Sequence, residues 1–138
     1  MIIIDTNVIS EMMRPEPDLM VLAWSNAAGT LHTTAITVAE VEYGIARLPA
    51  GRRKDHLIAM TAEVFADFRS VTLPFDTHAA HQYAQIVAGR ERGGRPITTA
   101  DAQIAAICAT QAATLATRNT RDFDATGISL VNPWQSID

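Results

Sequence analysis

Cysteine is almost absent from this sequence: Cys108 is the only one, so one chain can form neither a disulfide nor a multi-thiolate metal site. It lies in an apolar helical stretch, where a small buried hydrophobe is the expected role. Aromatic residues make up only 6% of the chain, which argues against a groove that binds single strands by stacking bases on a row of rings. Lysine is scarce too. Lys54 stands alone, and the other ten of the eleven basic residues are Arg, the better side chain for bidentate phosphate contacts and interface ion pairs. No apolar run approaches the ~18 residues needed to cross a bilayer, and the N-terminus carries neither a basic stretch nor a long apolar segment. A soluble, cytoplasmic protein without membrane contact is expected. A formal charge of -4 excludes indiscriminate polyanion binding through bulk charge and shifts attention to local patches.

What is present is an ordinary globular composition, 48% hydrophobic over 138 residues, long enough for one domain to bury its own core. No repeat, linker or low-complexity tract interrupts it, so a single domain over 1–138 is expected. Short apolar runs alternate with helical periods. "MIII" reads as a buried strand, Val8 to Met13 as a short helix before "RPEP", Asp18 as the cap of a second helix toward Gly29, and "TLHTTAI" as a second strand. From Thr37 onward, Val38, Val41, Ile45 and Leu48 recur at helical spacing until Pro49 and Gly51 stop the pattern. "RRKDHLIAMTAEVFADF" is a further helix and "SVTLPF" a third strand. Asp76 caps "THAAHQYAQIVAGRER", "GGRP" is a loop, and Thr98 or Thr99 caps a helix through about Thr110. "ATLAT" and "ISLVN" are the fourth and fifth strands. This alternation predicts an α/β fold of three layers, a central, mostly parallel five-stranded sheet with helices on both faces.

In such a sheet ligands bind beyond the carboxyl ends of the strands, and four acids are expected along that edge. Asp5 ends the first strand. Glu40 and Asp101 each follow a threonine by three residues, Thr37 and Thr98, in the expected first turn of a helix, and Asp122 follows the fourth strand in "RNTRDF". Glu40 and Asp101 also match a capping box, and Asp122 a turn residue; neither role needs a ligand. Asp5 differs, because a carboxylate ending a buried strand is costly without partners. Gathered together, the four would raise one another's pKa, and Lys54, in another segment, is a poor counter-ion. A hard divalent cation, Mg2+ or Mn2+, suits an all-oxygen donor set, and such ions serve phosphodiester hydrolysis.

The segments "IIIDTNVIS", "ITVAEVEYGI" with its Glu-x-x-x-Gly spacing, "ITTADAQIAAICA" and "LATRNTRDF", in that order over nearly the whole chain, resemble a PIN domain of the VapC/FitB toxin-ribonuclease type. The closing "VNPW" resembles the FitB-like branch. The resemblance implies a three-layer PIN-like fold and a Mg2+- or Mn2+-dependent endoribonuclease. It also implies the toxin half of a type II toxin-antitoxin pair, inhibited by a small VapB/FitA-like antitoxin through which the complex binds operator DNA, and a homodimer in which each subunit keeps its own site. By position the family's metal-binding acids fall on Asp5, Glu40 and Asp101. The fourth falls either on Asn119, a neutral residue, or on Asp122. Asp122 is favoured as the acid, with Asn119 as a neutral ligand or water-orienting neighbour. Thr6 and Asn7 match the family's Asp-Thr-Asn opening and are expected to bond Asp5, a water or a phosphate oxygen. Glu42, roughly 200° further round its helix than Glu40, is expected on the surface.

RNA needs cations near an acidic pocket. Arg118 and Arg121 flank the loop after the fourth strand, and Arg95 leads into the Asp101 helix; these three are the candidates for contacting RNA or a partner. Arg90 and Arg92 fit that role or a solvated helix end whose cations favour the C-terminal dipole. Trp24 and Trp134 are expected to pack in the core or at a dimer interface, and none of the four His has catalytic spacing. Three other classes compete. A haloacid-dehalogenase-like phosphatase needs a second Asp where Asn7 stands, a receiver-like module needs a Lys near the pocket, and a degenerate PIN scaffold would bind RNA or protein without cleaving it.

Overall fold

Two consecutive isoleucines separate the faces of the sheet. Ile3 and Ile4 lie on β1 (Ile2–Ile4), both fully buried, and the two-residue period of a strand sends them to opposite sides. In the computed structural model, which describes residues 1–68 and 71–135, β1 is the central strand. It is flanked by β2 (Leu31–Thr34) and β4 (Thr114–Ala116), with β3 (Thr72–Leu73) and β5 (Ser129–Val131) outermost, in the order β3-β2-β1-β4-β5. Every pairing is parallel, so the expected mostly parallel sheet is wholly parallel. Ser70, at the head of the expected third strand, lies outside the described residues.

Ile3 packs with Leu115, Phe123 and the helices α5 (Thr77–Arg92) and α6 (Thr99–Gln111). Ile4 packs on the other face with Val8 and Ile9 of α1 (Thr6–Met12), Val21 of α2 (Leu19–Ala27), and Val41 and Ile45 of α3 (Ala35–Ala46). Leu57, Met60 and Val64 of α4 (Arg52–Phe68) cover that cluster from outside. The three-layer α/β architecture is thus present. In α6, Ala102 and every residue from Ile104 to Cys108 are buried, the pattern of a helix packed on more than one side. Each buried Ile contributes about 1.5–3 kcal/mol. Burial pushes the Cys108 thiol up to about 12, which keeps it protonated and inert.

Two helix starts differ from expectation. Helix α1 begins at Thr6, not Val8, because Asp5 itself is the N-cap and accepts the Thr6 N–H. Helix α3 begins at Ala35, because Thr34, not Thr37, is its cap: the Thr34 hydroxyl accepts the Thr37 N–H at 3.1 Å and bonds the Thr37 hydroxyl at 3.1 Å. Thr37 is fully buried inside the helix, so Thr37 and Glu40 form no capping box, and Glu40 lies beyond the first turn.

The chain steps from β1 outward through β2 and β3, then returns to β4 on the other side of β1. The carboxyl ends of β1 and β4 therefore border the crevice where the strand order reverses, the place where such sheets take ligands.

Candidate active site

Thr117, immediately after β4, is the hub of this crevice. Its hydroxyl donates to Asp5 Oδ2 at 2.8 Å and accepts from Asn7 Nδ2 and the Asn119 N–H, each at 3.1 Å. Asp5 Oδ2 also accepts from Asn7 Nδ2 at 3.3 Å, and Asp5 Oδ1 from the Thr6 N–H at 2.8 Å. With two lone pairs per oxygen, Oδ2 is saturated and Oδ1 retains one acceptor site. Both Asn7 amide hydrogens are taken, by Asp5 and Thr117, and its carbonyl accepts the Arg118 N–H at 3.2 Å. Asn7 therefore binds the end of β4 to α1, the Asp5-supporting part of the role expected for it. Thr6 turns its hydroxyl to Glu40 Oε1, at 2.7 Å.

One open cleft of about 520 Å³ is lined by Asp5, Thr6, Asn7, Glu40, Asp101, Arg118 and Asn119, with Ser10, Glu11, Arg14 and Trp134 completing the rim. Asp122 does not line it. It borders a smaller adjoining cavity with Asp101, Thr98 and Arg90, yet it stands near enough to act electrostatically on both Asp5 and Asp101. Asp101 sits in the first turn of α6, whose cap Thr98 accepts the Asp101 N–H at 3.2 Å. This half of the expected capping box is present, and its carboxylate also faces the cleft.

The acids oppose one another. Asp5, only 5% exposed, has its carboxyl pKa raised, first by burial and further by the charges of Glu40 and Asp122. The Thr117 and Thr6 hydrogen bonds act the other way. Asp101 is raised to about 6 by burial, then by the charge of Asp5, with Asp122 and Glu40 adding to it. Lys54 offers no relief, since its ammonium donates to the Ala46 and Leu48 carbonyls at the end of α3.

Such a site fits a hard cation by two tests. Its donors are all oxygen, with Asp5 Oδ1 and Glu40 Oε2 left open by the bonds described, and the mutual repulsion of the acids is what a cation would remove. Among the described residues no three acid, His or Cys side chains close into a metal cage. As placed, these carboxylates would hold a cation partly through bound water.

Of the expected cationic residues, only Arg118 reaches the cleft, with its guanidinium 5.1 Å from the Trp134 ring centre. Trp134 also packs against the apolar cluster around Ile4, so it joins core to rim. Arg121 is exposed on the 3-10 turn Thr120–Phe123. Arg95 pairs with Asp124 at 3.4 Å, both about half exposed. Arg90, read as a possible solvated helix end, is buried. Sequence reasoning missed Thr117, Glu11 and Arg14. Buried Glu11 accepts from Arg14 at 3.0 Å and from the Asp18 N–H at 2.9 Å, which fixes Arg14 at the rim. The run "SEMMRP" offered a signal, a Glu and an Arg three apart on a helix; Thr117 offered none beyond its place after an apolar strand.

Comparison with known proteins gives a consistent result. A PIN-domain profile matches residues 2–128. The chain is 42% identical over 138 residues to a VapC ribonuclease of Sinorhizobium fredii, covering 98% of this chain and 99% of that one. It is 39% identical over 137 residues to the toxin FitB of Neisseria gonorrhoeae, covering 97% and 99%. A chain in the solved structure of FitAB bound to an IR36 DNA fragment superposes with a TM-score of 0.91 at 39% identity, covering 100% of this chain and 99% of that one. The chain belongs to the PIN-domain family, among the VapC and FitB toxins.

Proposed function

We propose that this protein is a divalent-metal-dependent endoribonuclease and the toxin of a type II toxin-antitoxin pair. The observation that carries the reading is Asp5: buried, held by Thr6, Asn7 and Thr117, with one oxygen still open beside Glu40 and Asp101. A carboxylate so fixed and so opposed by its neighbours is suited to receive a cation. Asp5, Glu40 and Asp101 would hold Mg2+ or Mn2+, with Asp122 acting from the adjoining cavity and Asn119 orienting a water or serving as a neutral ligand. When bound, such an ion lowers the pKa of water and stabilises charge on a leaving phosphate oxygen.

The chain's own residues prepare this chemistry. Thr6 holds one Glu40 oxygen, so the other is presented consistently. Asn7 and Thr117 fix the plane of the Asp5 carboxylate. Arg118, steadied on Trp134, supplies positive charge at the rim for RNA phosphates. Arg121 and Arg95 offer further contacts to RNA or to a protein partner.

The likeness to FitAB supports the partners: a small VapB/FitA-like antitoxin that inhibits the toxin and carries the complex to operator DNA, and a homodimer with one site per subunit. Among the described residues no helix is long and apolar enough to cross a membrane. The test is cleavage of a structured RNA by purified protein with Mg2+ and with EDTA, alongside growth on expression with and without a co-expressed VapB/FitA-like antitoxin. Cleavage that EDTA abolishes and growth arrest that the antitoxin relieves support the reading. One observation favours a second reading: neutral Asn119, and not Asp122, lines the main cleft. A degenerate scaffold would bind the same RNA and leave it intact in Mg2+ and in Mn2+.

A further inference from the structure

Arg90 is the one basic residue buried among the described residues, at 6% exposure. It lies in the last turn of α5, and its guanidinium spreads over two other segments. Nε donates to the Arg95 carbonyl at 2.6 Å and Nη2 to the Pro96 carbonyl at 3.4 Å. Nη1 donates to the carbonyls of Asp122 at 2.9 Å and Asp124 at 2.8 Å. The Arg90 carbonyl in turn accepts the Arg95 N–H at 2.9 Å. All four side-chain partners are main-chain carbonyls. Burying a guanidinium on such partners is costly, and what it secures is geometry, because only the planar five-donor fork reaches several carbonyls at once.

The two clasped segments are those that carry acids to the site. Arg95 and Pro96 lead into Thr98 and Asp101, and Asp122 lies on the 3-10 turn, whose Phe123 is already buried in the core. Arg90, Asp101 and Asp122 line one small cavity. The Arg95 to Asp124 ion pair crosses the same gap, but both partners are about half exposed, so water screens it and it holds the gap only weakly. We propose that Arg90 is a positioning residue that fastens the Asp122 turn to the start of α6 and thereby sets Asp122 against Asp101. This rests on the nuclease reading given above.

Arg90→Lys and Arg90→Met keep the apolar stem and lose the fork. Each should lower kcat on RNA by about 10–100-fold while KM stays within about twofold. Amide hydrogen exchange on the metal-free protein should accelerate at Arg95 in the first segment and at residues 122–124 in the second, with β1, β4 and the middle of α6 as protected as in wild type. Unchanged kcat in both variants overturns the proposal, as does unchanged exchange in those two segments. So does a loss of activity that only tracks protection lost throughout the chain. If wild type cuts no RNA, the nuclease reading fails separately, and the exchange pattern alone decides whether Arg90 is the clasp.

Discussion

The Thr6 hydroxyl donates to Glu40 Oε1 at 2.7 Å, joining the first residue of α1 to a residue 34 positions later on α3. Because Thr34 and not Thr37 caps α3, Glu40 has no role at the helix terminus, and its position at the cleft wall is free to serve the site. Thr6→Val keeps the side chain's shape and removes the donor. It should lower kcat about 10-fold, and Glu40→Gln about 100-fold or more. The double variant should be no slower than Glu40→Gln alone, since Thr6 acts through Glu40. Steady-state kinetics on one RNA substrate checks this; fully multiplicative losses would mean that Thr6 acts independently. Stability should change by no more than about 1 kcal/mol, because the bond is solvent-exposed.

The acids make the metal-free fold pH-dependent in an unusual direction. Asp101 is raised to about 6 and Asp5 is raised as well, both chiefly by burial. Above about pH 4 the unfolded carboxyl has released its proton while the folded one still holds it. These groups therefore favour folding at low pH, and that contribution is lost as pH rises toward and through about 6. Asp101→Asn should flatten the decline and raise the melting temperature at pH 7 in EDTA by a few degrees. Mg2+ should stabilise wild type more than the variant. Its affinity should fall as pH drops through about 6, because protonation blocks the ligand. Calorimetry at pH 4.5 and 7, with and without Mg2+, measures all of these.

Asp122 and Asn119 divide the fourth acidic role between charge and position: Asp122 acts on Asp5 and Asp101 electrostatically, while Asn119 lines the cleft. If Asp122 is the acid, Asp122→Asn should cost about 100-fold in kcat and Asn119→Ala about 10-fold or less. The reverse order would assign the fourth position to Asn119. Raising the Mg2+ concentration should recover part of the Asp122→Asn activity.

Local signals in the sequence carried most of the fold. The caps Asp18 and Asp76 stand where expected, and of the two threonines offered for α6 the cap is Thr98, because a cap depends on a few adjacent residues. The five strands also stand where expected, as short apolar runs between helical periods. In "TTAIT" the expected start at Thr37 fails and Thr34 is the cap, because Thr37 is buried inside the helix and bonded to Thr34. Arg90, Arg92 and Arg95 look alike in "GRERGGRP". Two residues further along α5, Arg92 points about 200° away and is exposed, while Arg90 faces the loops it binds. Asp5, Glu40 and Asp101 were legible as a group from their places after strands. Thr117 was not, because its bond to Asp5 spans 112 residues.

Far from the cleft, α6 ends on Ala112 in the left-handed conformation, φ 50 and ψ 40, with its N–H bonded to the Ala109 and Cys108 carbonyls. A side chain there costs energy that glycine avoids. Ala112→Gly should therefore stabilise the protein by about 0.5–1 kcal/mol, read as a higher urea midpoint at unchanged slope, with RNA cleavage unaffected. A destabilised variant would mean that the exposed Ala112 methyl contributes more than the backbone strain it causes.

The central claim is that Asp5 is a metal-holding carboxylate of a nuclease site. Its most direct test compares purified wild type and Asp5→Asn on structured RNA in Mg2+, with an EDTA control and a mock purification to exclude contaminating nuclease. The amide keeps the size of the carboxylate and removes its charge. The account predicts a loss of at least about 1000-fold in cleavage and no growth arrest on expression. Asp5→Asn protein that cuts RNA as fast as wild type in Mg2+ would contradict it.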